Sequence, residues 1–322
     1  MRTVAGIAAA IAAISLWSSA FGQTAPAAQP SPDDSSVITD LTPVQVNLPG
    51  PALWRVTKGD SQVVIMGFVR PLPHSLDWPK GRIVHALDGA HALLIPPEPK
   101  LGAMDIMGLL WSQGDFKLPG RKTLKDVLSP ADYATYERLA GVAKSKRADL
   151  DHLKPALVGV MLIADMRKAG GLSSEKPVST VSKLAKQMHV NIREMGKIRA
   201  APVIRVVRGL TEAQHIACFH DEAAVADWEA RDAAPTAAAW GKGDVAALRT
   251  FRARALNLSC LEENPNLKAL KEQGTVDAVN AINDALSRPG KTVALIDLQY
   301  LDQRNGVLDR LKAKGAEITV PN

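Results

Sequence analysis

The chain has 322 residues, of which 46% are hydrophobic and 22% charged, and its net charge is +6. That composition supplies a core for one large domain or two small ones and excludes a wholly disordered chain. Aromatic residues make up 4%, too few for the stacking platforms that hold single-stranded nucleic acid, so no nucleic-acid partner is expected.

Residues 1–22 carry Arg2, an apolar run over 4–16 and the small-residue site Ala20-Phe21-Gly22. This is the pattern of a secretory signal peptide cleaved near Gly22, which directs the chain to the periplasm or the exterior. No later stretch reaches the apolar length of a transmembrane helix, so the mature chain is expected to lack one. Residues 23–50, "QTAPAAQPSPDDSS" and its continuation, have no apolar periodicity and read as a disordered linker. The folded domain is expected over 51–322.

"ALWRVTKGDSQVVIMG" reads as a β-hairpin turning at Lys58-Gly59-Asp60, where Gly59 supplies the positive φ. Residues 63–66 lack strict alternation, which predicts a strand buried on both faces. A helix over 78–88 with Pro79 in its first turn, then a strand over 91–97, follow. The middle of the chain is helical. Ser129-Pro130-Ala131-Asp132 caps one helix, 155–167 forms an apolar helix central to the core, and a short helix leads to a strand at 190–193. Helices then start at Thr211 and Asp244 and run over 265–286. The chain closes with the strand "KTVALIDLQYL", a helix and a last strand. The expected fold class is α/β (α+β): a mixed central sheet built from N- and C-terminal strands, covered by a mostly helical middle region.

Chemistry is expected at the ends of the strands, because open α/β sheets bind ligands at the carboxyl ends of their strands. The candidates there are Gly67, Arg70, His74 and Glu98, with Asp297 at the end of the closing strand. Asp297 interrupts an apolar run, and a buried carboxylate needs a partner; Arg70 supplies one if the two strands adjoin. His74 and Glu98 also read as ordinary surface groups. The seven histidines form no HxH or HExxH, and there is no G-x-S-x-G, P-loop or dinucleotide glycine fingerprint. Cys218 and Cys260 are the sole cysteine pair, and an oxidising compartment favours a structural disulfide between them.

"PALWRVTKGDSQVVIMGFVRPLPHSLDW" resembles the opening of the TraB/GumN family, in which "PALWKV…G…VYLLGTIHLLP" is typical. The likeness continues in "LKPALVGVMLIADM", in the helix of Cys218, in "AAWGKGDVAALR" and in "PGKTVALIDLQYLDQRNGVLDRLKAKG". Intact members look like metal-dependent hydrolases, some of them proteases. The resemblance implies a G-x-x-H after the second strand, an acidic residue at the end of the third, and a histidine after the closing strand. Here Arg70 stands at the first histidine, Pro96 at the acidic position and Tyr300 at the second histidine.

Arginine stays protonated at physiological pH and cannot ligate a metal, and proline has no side-chain donor. No cofactor is therefore expected. The expected function is a catalytically degenerate member that binds a small-molecule or peptide ligand in the former active-site cleft, held by Arg70, Tyr300 and His74. The alternatives are a metal-dependent hydrolase with a shifted site at His74, Glu98 and Asp297, and a scaffold protein whose cleft is irrelevant.

Overall fold

A computed structural model describes residues 48–100, 113–199, 201–254 and 264–321. The signal-peptide reading of 1–22 and most of the linker reading of 23–50 lie outside the described residues. Strands β1 (Leu53–Lys58) and β2 (Ser61–Phe68) form an antiparallel hairpin. Gly59 takes φ +57° in the two-residue turn, which a side chain would strain. The turn chemistry of the sequence is the turn of the fold.

Among the described residues the central sheet has six strands. The others are β3 (Ala92–Ile95), β4 (Asn191–Glu194), β5 (Gly290–Asp297) and β6 (Glu317–Thr319). Their spatial order is β6-β1-β2-β5-β3-β4. β2, β5, β3 and β4 run parallel, whereas β1 and β6 are antiparallel additions at one edge. Parallel pairs need long crossovers, so strands from both ends of the chain can lie side by side. β2 and β5 register along their full length, from Ser61 opposite Gly290 to Phe68 opposite Asp297. Both are buried on both faces, which is why neither alternates. The sheet is not drawn from the termini alone. β4 comes from the middle of the chain and forms the far edge.

Apart from single turns at Leu124–Val127 and Arg147–Leu150, the described helices are α1 (Gly81–Leu87), α2 (Pro130–Ala143), α3 (Pro155–Ala169), α4 (Lys176–Gln187), α5 (Ala201–Arg208) and α6 (Glu212–Lys242). They continue with α7 (Val245–Arg254), α8 (Pro265–Leu286), the single turn α9 (Leu298–Leu301) and α10 (Val307–Ala313). Sequence caps work as expected: the Ser129 hydroxyl accepts from the Asp132 N–H, and Thr211 with Gln214 forms a capping box at α6.

Two expectations need correction. α1 begins at Gly81 rather than Trp78, because Trp78 is buried edge-on against Trp240 with ring centroids 5.0 Å apart, in extended chain before the helix. α3 is central to a core, but not to that of the sheet. It packs on α2 and α6 around Phe116, Tyr136, Leu162 and Phe219, a second apolar cluster apart from the one that lines the sheet. Periodicity marks the helix as buried and cannot say against what.

Candidate functional site

The four parallel strands point their carboxyl ends to one edge of the sheet, and the candidate residues gather there. β2 ends at Phe68 and β5 at Asp297, opposite each other in the ladder. Two residues on, Arg70 reaches back, and its Nε donates to Asp297 Oδ2 at 2.8 Å. Asp297 is 8% exposed, so its charge is held out of water and depends on this partner. Its second oxygen, Oδ1, accepts from the Gln299 N–H at 3.1 Å and caps the α9 turn. Both carboxylate oxygens are engaged.

Arg70 itself is half-open, with its side chain 41% exposed. The guanidinium carbon lies 5.3 Å from the centroid of the buried Phe68 ring. Asp297 fixes one edge of the fork and Phe68 lies against it. The two terminal amino groups find no hydrogen-bond partner among the described residues. An arginine oriented in this way presents parallel N–H donors with little freedom left to lose.

Gly67 precedes Phe68. A Cβ there would stand 2.6 Å from Trp54 Cζ3 and overlap Leu298, so close packing explains the glycine. Its carbonyl accepts from Trp240 Nε1 at 2.8 Å, which ties the last turn of α6 to the end of β2. Pro96 follows the last residue of β3 and is half-buried on the same sheet edge. Tyr300 lies in α9, with the Lys271 ammonium 5.9 Å from its ring centroid.

His74 and Glu98 belong to the rim. His74 is exposed; its backbone N–H donates to Gly171 at 2.7 Å and its carbonyl accepts from the Lys176 ammonium. Leu72-Pro73 pairs antiparallel with Leu172-Ser173, fixing this rim segment to the chain ahead of α4. Glu98 is exposed and faces Glu175, whose carboxyl is pushed above its usual range by burial and by the Glu98 charge. Glu175 and Lys176 escaped the sequence reading. The start of α4 at "SSEKP" marks them as a helix entry, and only the fold brings that entry to the rim.

A divalent metal, which the resemblance implies, does not fit these side chains. Arg70, at the position that the resemblance gives to the first ligand, is a fixed cation bonded to Asp297, the buried carboxylate of this edge. Pro96 offers no donor, and Tyr300 has a second cation over its ring. Among the described residues, no group of three His, Cys, Asp or Glu side chains is arranged to hold a metal ion. Cys218 is fully buried in α6, and Cys260 lies outside the described residues. Among the described residues no helix is long and apolar enough to cross a membrane.

No curated protein and no solved structure matched the chain. The family model described as TraB/PrgY/gumN matches residues 52–320. That span takes in every strand of the sheet, the Arg70–Asp297 edge and the helical layer, so the chain belongs to the TraB/PrgY/gumN family.

Proposed function

We propose that this chain is a catalytically degenerate, exported family member that binds an anionic small molecule or a peptide carboxylate at the carboxyl edge of its sheet. The observation that carries the reading is the Arg70 guanidinium, pinned by Asp297 and set beside Phe68, with its terminal donors unpartnered among the described residues. A planar oxyanion matches such a fork with two parallel hydrogen bonds. Asp297 already neutralises most of the field of Arg70, which favours a singly charged carboxylate over a multiply charged anion. The signal-peptide pattern of residues 1–22 supports export, and a Cys218–Cys260 disulfide accords with it.

A shifted-site hydrolase needs Asp297 as a ligand or base. Both oxygens of Asp297 are engaged, by Arg70 and by the α9 turn, which weighs against that reading. The test is a calorimetric screen of small carboxylates and phosphates against wild type, Arg70→Ala, Arg70→Lys and the distant surface variant Lys125→Ala. A charge-assisted pair contributes about 1.5–3 kcal/mol, so Arg70→Ala weakens carboxylate binding by about tenfold to a hundredfold. Arg70→Lys recovers charge without the fork and restores binding only in part. Equal behaviour of Arg70→Ala and Lys125→Ala removes any role for the cleft.

A further inference from the structure

α6 carries a row of buried polar side chains at seven-residue spacing: His215, Glu222, Glu229 and Thr236. The α3 neighbours of the first three step forward in the same direction. Lys154, at the N-cap of α3, acts on His215; Gly159 meets Glu222; Arg167 grips Glu229 through two hydrogen bonds. The two helices therefore run parallel in a fixed register, with polar groups on a seam that ordinarily would be apolar. The Arg167–Glu229 pair explains one step of the row. His215, Glu222 and Thr236 each leave a buried polar atom without a hydrogen-bond partner among the described residues, and of these Glu222 alone carries a carboxyl.

Glu222 is 1% exposed, and its Oε2 finds no hydrogen-bond partner among the described residues. It occupies a notch in α3 that exists because residue 159 is glycine. A Cβ there would stand 2.7 Å from Glu222 Cβ and overlap Oε2. The helical core around it includes Val158, Leu162, Phe219 and Ala226. An ionised carboxylate in such a place lacks the compensation that buried charges require, whereas a neutral acid fits.

Most charged groups on the elements packed against α6 are paired elsewhere, and Lys154 lies toward His215. On α3, Asp165 accepts from the Ser145 hydroxyl and Arg167 holds Glu229. On α2, Asp132 pairs with His220 and Arg138 with Asp227. α7 brings Arg249, which is paired with Asp302, and the Leu72–Pro73 strand that packs on α6 brings no charge. On α6 itself the neighbour is Asp221, of like sign. Burial first, and then Asp221, push the Glu222 carboxyl well above its ordinary range, against a smaller opposing contribution from the Val160 N–H.

We propose that Glu222 is a proton-operated clasp on the α3–α6 pair: the acid form seats in the Gly159 notch and holds the helices flush, and the carboxylate form opens them. A carboxyl whose folded value is raised stabilises the closed layer fully below its ordinary titration range. That stability is lost as pH rises through the raised value. The last turn of α6 holds the end of β2 through Trp240 and Gly67, so opening of this helix reaches the edge of the candidate site. The clasp stands independently of what that site binds.

Amide hydrogen exchange on the full chain, from about pH 6 to about pH 9 and corrected for intrinsic rates, tests the clasp. Opening of α3 and the first half of α6 is expected to rise by about tenfold per pH unit above the ordinary carboxyl range, where Glu222 is ionised in the open form and still protonated in the closed one, and to level off once it ionises in the closed form. Glu222→Gln, neutral and nearly isosteric, is expected to abolish that rise. Exchange in wild-type α3 and α6 that tracks α8 at every pH overturns the proposal, as does an undiminished rise in Glu222→Gln. If the variant does not fold, the infrared spectrum of wild type decides. A protonated buried carboxyl band at neutral pH is expected, and its absence overturns the proposal.

Discussion

Replacing Trp240 by alanine is expected to destabilise the protein by about 3–5 kcal/mol, the range for deleting a large aromatic side chain from a packed core. The ring is fully buried, packs edge-on with Trp78 and donates its N–H to the Gly67 carbonyl at 2.8 Å. Truncation therefore removes apolar contacts from two layers at once and leaves a buried carbonyl without its donor. Trp240→Phe keeps most of the ring and loses the hydrogen bond, so its cost is expected to be smaller, about 1–3 kcal/mol. Urea denaturation of the three proteins at one pH separates the two contributions. A loss below about 1 kcal/mol for the alanine variant would show that α6 does not brace the strand end.

Gly67→Ala is expected to cost about 1–3 kcal/mol through overpacking, although it adds one methyl group to a strand. The new Cβ meets Trp54 on β1 and Leu298 on α9. Trp54 is 2% exposed and Leu298 2%, so neither can swing into solvent. Relief must come from moving α9, and α9 carries the Asp297 cap that fixes Arg70. The variant is thus expected to lose carboxylate binding together with stability. Thermal unfolding and ligand titration check both. A stable variant that binds normally would mean that the strand end yields more readily than its packing indicates.

Much of the architecture is legible in local chemistry. The Gly59 turn, the Ser129 and Thr211 caps and the unbroken apolar runs of β2 and β5 each follow from residues within a few positions. Asp297 announces itself as a carboxylate inside such a run. Its Arg70 partner is inferable only if the first and last parts of the domain share a sheet, which the parallel β2–β5 ladder satisfies.

The illegible features depend on remote partners. Trp78 looks like a helix start until Trp240, far along the chain, accounts for its burial. Glu175 looks like a solvated helix entry until Glu98 arrives beside it. Glu222 sits in an amphipathic stretch rich in acids, and only the Gly159 notch distinguishes it from the exposed ones. Gly67 carries a further lesson. The family resemblance gives it a place in a ligand motif, whereas packing against Trp54 and Leu298 is sufficient reason for a glycine there.

On the proposed reading, Arg70 makes an oxyanion position of the place where the resemblance implies a metal ligand. Elemental analysis of the purified protein, after saturation with zinc, manganese or iron and removal of excess ion, tests it most directly. The predicted result is well under one equivalent of any metal, unchanged by His74→Ala or Asp297→Ala. One tightly held equivalent that disappears with Asp297→Ala would contradict it, because that carboxylate would then be ligating a metal rather than holding an arginine.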